Sequence, residues 1–304
     1  MRKANRLILS FGCVVVSLLP AYGQYYFYND EYYDSPLLIE VGASAGAMNC
    51  LTDLGGKKGT GKRFIKDINW NQSRPSGGLY VMAVYRNTLG ARLELSLGSV
   101  QADDAVLKND RSAAYGRAMR HLSFRSGIAE MLLGVEFYPA TLTANQANLL
   151  VSPFILTGLG LFRFSPQASY NGNWVNLQVL RTEGQGFREY ENRKIYRLSQ
   201  FNFPVGAGIK YESSPSVCLR LEIIYRKLWT DYLDDVSKTY IDPASFDRYF
   251  APSIALLARQ LSDRRLNRGS EPRTGDIRGN PHNNDAYFSF NLKLGFILGR
   301  QRRR

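Results

Sequence analysis

Phe288-Ser289-Phe290-Asn291-Leu292-Lys293-Leu294-Gly295-Phe296-Ile297-Leu298, close to the end of the chain, alternates with a period of two. Phe288, Phe290, Leu292, Leu294, Phe296 and Leu298 fall on one face of an extended chain, and Ser289, Asn291, Lys293 and Gly295 fall on the other. Such alternation marks a strand with one apolar and one polar face, because successive side chains of a strand point to opposite sides.

The pattern recurs upstream. Ala91, Leu93, Leu95 and Leu97 oppose Arg92, Glu94, Ser96 and Gly98. Ala129, Met131, Leu133, Val135 and Phe137 oppose Glu130, Leu132, Gly134, Glu136 and Tyr138. Phe201, Phe203, Val205, Ala207, Ile209 and Tyr211 oppose Asn202, Pro204, Gly206, Gly208 and Lys210, while Leu219, Leu221, Ile223 and Tyr225 oppose Arg220, Glu222, Ile224 and Arg226. Leu37–Asn49, Gly77–Arg86 and Ser152–Phe164 fit the same template, so eight strands are expected.

The connections select the architecture. Arg86-Asn87-Thr88, the stretch from Ala140 to Asn148, and Ser213-Ser214-Pro215 are short, and they alternate with long segments at about 50–75, 99–119, 165–198 and 233–284. Short turns alternating with long loops are the habit of up-and-down barrels in the outer membrane. The expectation is an all-β, eight-stranded antiparallel transmembrane barrel with both termini on the periplasmic side. Glu40, Arg92, Glu94, Glu130, Glu136, Arg220, Glu222, Arg226 and Lys293 all lie opposite the apolar face. In so narrow a barrel they would pair and plug the interior. The competing architecture is a secreted sandwich, whose apolar faces would be buried against each other.

Residues 1–23 read as a cleavable signal: Arg2, Lys3 and Arg6 precede an apolar run from Leu7 to Leu19, then Pro20 and Ala21-Tyr22-Gly23. The mature chain, a single domain over 24–304, would begin at Gln24. No later window holds the roughly 18 consecutive apolar residues of a membrane-spanning helix.

The 304 residues carry a formal charge of +13, and loss of the signal lowers it to +10. Such a balance raises the question of nucleic acid. However, Arg259, Arg264, Arg265, Arg268, Arg273 and Arg278 in the last long loop, and Arg300, Arg302, Arg303 and Arg304 at the end, are not interleaved with stacking aromatics, so no nucleic-acid partner is expected. A solvated, phosphate-facing surface at the outer leaflet or periplasmic rim accounts for them. Within the last long loop, Pro252 followed by Ile254, Leu257, Ala258 and Leu261 predicts a short helix with those four on one face.

Several constellations invite chemistry. Gly56 to Arg63 has the spacing of a phosphate-binding loop, but Arg63 stands where the magnesium-binding hydroxyl is required. Asp231, Asp234, Asp235 and Asp242 offer oxygen ligands in no calcium-loop spacing, so pairing with Arg226, Lys227 or loop arginines is favoured over a cation site. His121 and Ser123 share a strand face as a hydrolase pair would, without an assigned acid. Cys50 and Cys218 lie at opposite ends of their strands, too far apart for a disulfide, and are expected as free or lipid-facing thiols. No catalytic residue, metal site or cofactor is assigned.

Three stretches together resemble a known family. They are His121-Leu122-Ser123-Phe124-Arg125-Ser126; Trp174 to Leu180 followed by Thr182-Glu183-Gly184-Gln185-Gly186; and Tyr225-Arg226-Lys227-Leu228-Trp229-Thr230-Asp231-Tyr232-Leu233-Asp234-Asp235-Val236-Ser237. These, with Thr239 to Pro243, Leu261 to Arg264 and Arg278 to Pro281, are similar to the PorG-like outer-membrane barrels of gliding and gingipain-secreting bacteria. The resemblance implies a small OmpA-like barrel without enzymatic activity or cofactor, set in outer-membrane lipid and associated with type IX secretion through periplasmic ring lipoprotein components. It also implies that Thr230 to Asp242 clasps the barrel mouth through its own Tyr and Asp side chains. One departure is the end of the chain, Gly299-Arg300-Gln301-Arg302-Arg303-Arg304, where barrels of this kind finish on an aromatic. An adhesin or envelope-tethering barrel, or a lipid-modifying barrel enzyme, are the alternative functions.

Overall fold

The computed structural model describes residues 32–55, 69–107, 119–142, 150–265 and 274–302. The expected signal, the 56–63 segment, Arg268, Arg273, Arg303 and Arg304 lie outside these residues.

Eight long strands close on themselves. In chain order they are β1 (Tyr32–Leu51), β2 (Arg74–Tyr85), β3 (Leu89–Asp103), β4 (Ser123–Phe137), β5 (Val151–Tyr170), β7 (Ser199–Ser214), β8 (Val217–Leu228) and β9 (Ala286–Arg302). A short β6 (Asn173–Asn176) pairs only with the end of β5. Each long strand pairs antiparallel with its neighbours; β4 joins β5, and β1 joins β9 from Leu51↔Ala286 to Tyr32↔Arg302, which closes the cylinder. Both ends of the barrel chain therefore lie at the end where Arg86-Asn87 and the β7–β8 turn reverse the strands. Arg86 and Asn87 both have positive φ, 49° and 55°, and Thr88 N–H donates to Tyr85 O. Three residues separate the paired Tyr85 and Leu89, and the left-handed conformation of Arg86 and Asn87 gives this reversal the twist of its strands.

The alternation read from the sequence is the alternation of inside and outside. Along β4 every second residue from Phe124 to Glu136 is buried and its neighbours are exposed or half-buried. Leu79, Leu97, Leu133 and Leu221 are more than 60% exposed on the outer wall. A secreted sandwich is thereby ruled out, since its apolar faces would cover one another.

The strands run further than their apolar repeats. At the loop end of β4 and β5 the outward positions are Arg125, Ser165 and Gln167, so hydrogen bonding continues after the apolar signal stops. The hairpin to β6 turns at Asn171-Gly172, φ 49° and 82°, inside a segment expected to be a loop. Its Asn-Gly pair is the sequence signal that marks it.

The predicted helix is present as α2 (Pro252–Ser262), preceded by a short α1 (Ala244–Tyr249). Its buried face differs from the one expected. Ala255, Ala258 and Leu261 pack against Leu177, Leu180, Phe187, Ile241 and Phe246, while Ile254 is 44% exposed. Small alanines let α2 lie close to the loop beneath it, and the bulkier Ile254 is turned away.

Candidate functional site

Two polar assemblies stand out, one filling the barrel and one covering its mouth. All nine charged residues assigned to the interior point inward and are buried. Arg92 lies 3.0 Å from Glu136 and 2.8 Å from Glu222, and Arg220 joins Glu40 at 2.8 Å to Glu136. Lys293 bridges Glu94 and Glu222, Arg226 holds Glu130 at 2.7 Å, and Lys210 and Arg300 meet Glu212. Six carboxylates (Glu40, Glu94, Glu130, Glu136, Glu212, Glu222) thus face six cations (Arg92, Lys210, Arg220, Arg226, Lys293, Arg300). Paired and fully desolvated side chains fill the cylinder, as expected of a barrel of this strand number. Gly295 makes room for them: a Cβ there would sit 2.5 Å from Tyr80 Oη and 2.8 Å from Glu40 Oε1.

The mouth is covered by a folded cap, and the family-like stretches converge on it. Glu183, fully buried, accepts from Ser237 N–H at 3.0 Å, from Lys238 N–H at 3.1 Å and from Arg278 Nη1 at 2.9 Å. Arg278 Nη1 also donates to Asp235 O and Nε to Ser262 O, so one guanidinium ties the end of α2 and the Asp235 segment, both within the β8–β9 loop, to Glu183 of the β5–β7 connection. Asp235 accepts from Thr182 Oγ1 and from Tyr196 Oη at 2.7 Å, and its φ of 65° places it in the left-handed region. Gln185 Oε1 accepts from Glu183 N–H, while Gly184 and Gly186 take φ of 73° and 78°. Tyr232 stacks on Tyr196 with ring centroids 4.7 Å apart. Beneath them Phe124, Phe162, Phe164, Leu228, Leu233, Val236 and Tyr287 form the apolar core of the barrel mouth. Ser126 Oγ, in the wall, accepts from Ser165 N–H.

Several expectations change here. The clasp is not tied by its own Tyr and Asp side chains alone, because Glu183 and Arg278 from other parts of the loops hold its backbone. Arg278 is buried and ion-paired, not solvated, and Arg300 belongs to β9 and pairs with Glu212. Arg226 turns inward to Glu130, not to the loop carboxylates, whereas Tyr225 sits half-buried on the outer side. Arg125 is exposed, its guanidinium 3.7 Å from the Trp174 ring centre. Cys50 and Cys218 are free, as expected, but buried on the inner side and not against lipid.

The four aspartates part company. Asp242 accompanies Tyr190 and the start of α1, and Asp235 joins Arg278. Asp231 and Asp234 lie with Asp53 and Asp285. Asp234 Oδ1 accepts from Val236 N–H and Asp285 Oδ2 from Leu233 N–H, whereas Asp234 Oδ2 and both Asp231 oxygens, near the Thr52 and Ser237 hydroxyls, find no partner at hydrogen-bond geometry. Burial pushes the Asp231 carboxyl up to about 9, with Asp53 and Asp234 adding to it against the Ser237 hydroxyl. Asp234 and Asp285 are likewise raised, first by burial and then by neighbouring aspartates. Asp235 rises only to about 6, because Arg278, Thr182 and Tyr196 oppose its burial. Arg120 stands beside the group, bound to Asp104 at 2.9 Å and to Asp53 O at 2.7 Å. Among the described residues, no three His, Cys, Asp or Glu side chains converge as a metal-binding group.

At the β4 entry, Ser123 Oγ accepts from Arg264 Nη1 at 3.0 Å, and His121 has a φ of 54°. The serine hydroxyl is thus engaged by a loop arginine.

No family model and no curated protein matches the sequence. Among solved structures, the chain is similar to the outer membrane protein OprG of Pseudomonas aeruginosa, at 10% identity and a TM-score of 0.40 over 88% of this chain and 97% of that one. A major outer membrane protein of Thermus thermophilus gives 14% and 0.38 over 87% and 100%. Ail, the attachment invasion locus protein of Yersinia pestis, gives 12% and 0.36 over 88% and 99%.

Proposed function

We propose that this chain is a non-catalytic integral outer-membrane barrel that serves as a structural component of the type IX protein secretion machinery. The observation that carries the proposal is the cap. Thr182 to Gly186 and Thr230 to Ser237, parts of two of the stretches that resemble the secretion-associated family, meet around Glu183, Asp235 and Arg278 as one folded unit. Around the wall, an apolar belt of Leu79, Leu95, Leu97, Leu133, Leu159 and Leu221 supports placement in a bilayer. A filled lumen and a tied-down mouth suit a scaffold more than a conduit. On this proposal the periplasmic rim, formed by the Arg86-Asn87 and Ser214-to-Val217 turns and the chain ends, meets ring lipoprotein components, and the wall meets outer-membrane lipid.

Crosslinking on intact cells, followed by pull-down of the barrel from outer membranes, tests the assignment. Recovery of secretion ring components, together with loss of type IX cargo export on deletion of the gene, is the expected result. Normal export in the deletion strain removes the secretion role.

A surface-attachment role is the second reading, motivated by Ile277, 82% exposed on the cap. It predicts binding to surfaces that is lost on shortening the β8–β9 loop while export stays normal. A lipid-modifying activity would instead show as altered outer-leaflet lipid masses on changing His121 or Ser123.

A further inference from the structure

The outer wall is not uniform. Where β2, β3, β4, β5 and β7 run side by side, the hydrogen-bond register lines up Gly77, Leu97, Ala129, Arg163 and Ser199 in one row across the sheet. The next row, toward the barrel middle, is Leu79, Leu95, Met131, Leu161 and Phe201. Side chains of almost no length at Gly77 and Ala129 therefore sit between large ones. The result is a depression of about 700 Å³ on the outward surface, apolar along its floor, with the Arg163 side chain on its lining.

Arg163 gives the depression its chemistry. Its side chain is exposed on the outward face, and among the described residues it forms no ion pair with a carboxylate. Arg125, four residues along β4 from Ala129, adds a second positive charge on the same side of the sheet, braced on Trp174. An arginine on a lipid-facing wall is costly unless it reaches the headgroup level and finds an anion there. A guanidinium's planar fork of donors matches phosphate oxygens.

We propose that this depression binds one phosphate-bearing acyl lipid of the outer leaflet, with an acyl chain laid over Gly77 and Ala129 and the phosphate held by Arg163. The proposal rests on the reading of the chain as an outer-membrane barrel. Charge complementarity selects the occupant: a neighbouring copy of the chain would bring apolar belt residues to the groove but would need to supply an anion at the same height.

The test uses the full-length protein purified in detergent, with heat-modifiable gel migration and insertion into lipid vesicles measured first. A chain that neither inserts nor shifts on heating fails as a membrane barrel, which is a failure of the parent reading and is seen before any lipid is added. Phosphorylated lipid A and its dephosphorylated counterpart are then titrated in, and the bound fraction is read by native mass spectrometry. The expected result is a single phosphorylated lipid retained by the wild type and weaker binding of the dephosphorylated form. Arg163→Gln should weaken the phosphorylated lipid about tenfold, in keeping with loss of one charge-assisted contact. Ala129→Leu should weaken both lipids by filling the groove, and Lys227→Gln, a change to an outward cation of β8, should leave both unchanged. Equal binding of the two lipids, wild-type binding by Arg163→Gln and Ala129→Leu variants that still show heat-modifiable migration, or a dimer that Ala129→Leu abolishes would each overturn the proposal.

Discussion

Removing Arg226 tests whether the barrel interior is a dry, paired plug. Arg226 Nε reaches both oxygens of Glu130, at 2.9 and 2.7 Å, and Nη1 donates to Ser289 Oγ at 2.9 Å and to Ile224 O at 3.2 Å. Both side chains are 1% exposed. In Arg226→Met the carboxylate keeps Asn202 Nδ2 at 2.8 Å and Ser96 Oγ at 3.4 Å but loses its counter-charge. Leaving a buried charge uncompensated costs roughly 3–5 kcal/mol, about a hundredfold to a few thousandfold in the folding equilibrium. Glu130→Gln should cost a comparable amount by stranding the guanidinium. The double variant carries neither charge and should lose less than about 2 kcal/mol, since a buried pair replaced as a unit is often nearly neutral. Reversible urea unfolding from lipid vesicles, followed by tryptophan fluorescence and heat-modifiable migration, completes the double-mutant cycle. Single-variant losses below about 1 kcal/mol, or losses that simply add in the double variant, would refute the reasoning, because they would mean that lumen water screens the pair.

Leu133→Arg, at a 64% exposed belt position, should destabilise the barrel in bilayers by roughly 2–4 kcal/mol, an effect that unfolding from lipid vesicles measures directly. Gly158→Ala should also be costly, by roughly 1–3 kcal/mol, because a Cβ there would meet Leu133 O at 2.1 Å; normal folding yield and unchanged urea midpoint would contradict this. Cys50 and Cys218 should resist maleimide in the folded barrel and label fully after unfolding, as counted by intact mass. The cap should loosen as pH rises. Asp231, Asp234 and Asp285 hold carboxyls raised by burial, so the folded cap keeps protons that the open loop releases. That advantage is complete below the ordinary carboxylate range near 4 and is lost progressively as pH climbs toward about 9. Hydrogen exchange of residues 229–265 and 274–285, corrected for intrinsic rates, should therefore be slower at pH 5 than at pH 8.5, with Asp231→Asn flattening the difference.

The barrel was legible because a bilayer imposes a two-sided rule on the strands, which pairs such as outward Leu93 and inward Glu94 obey, although Leu132, Leu156 and Ile224 face inward and Arg163 outward. Legibility stopped where that rule stops. Above the belt the outward residues of β4 and β5 are polar, so Arg125, Ser165 and Gln167 hide the continuation of both strands. The cap was legible in composition but not in pairing. Asp231, Asp234 and Asp235 sit together in sequence, yet a left-handed residue at Asp235 turns its side chain toward Thr182 and Tyr196, while Asp231 and Asp234 stay with Asp53 and Asp285. Which arginine would be buried also depended on contacts 95 residues apart, Arg278 with Glu183, and local spacing carries no information about these.

The distribution of charge links the interior to the proposed role. The lumen pairs six carboxylates with six cations, so the chain's excess of positive charge resides elsewhere. Arg125, Arg163 and Lys227 place part of it on the outer wall, while at the mouth burial favours the neutral, protonated form of Asp231, Asp234 and Asp285 beside half-buried Asp53. Paired side chains fill the cylinder and leave it internally neutral, an arrangement that suits the proposed scaffold more than a conduit. On the proposed role, recognition occurs sideways, at the lipid-facing wall, or at the two rims. A component that holds a larger assembly in the outer membrane needs those surfaces and no lumen, and on this reasoning changes at Arg163 should disturb lipid contact without disturbing partner recovery at the periplasmic rim.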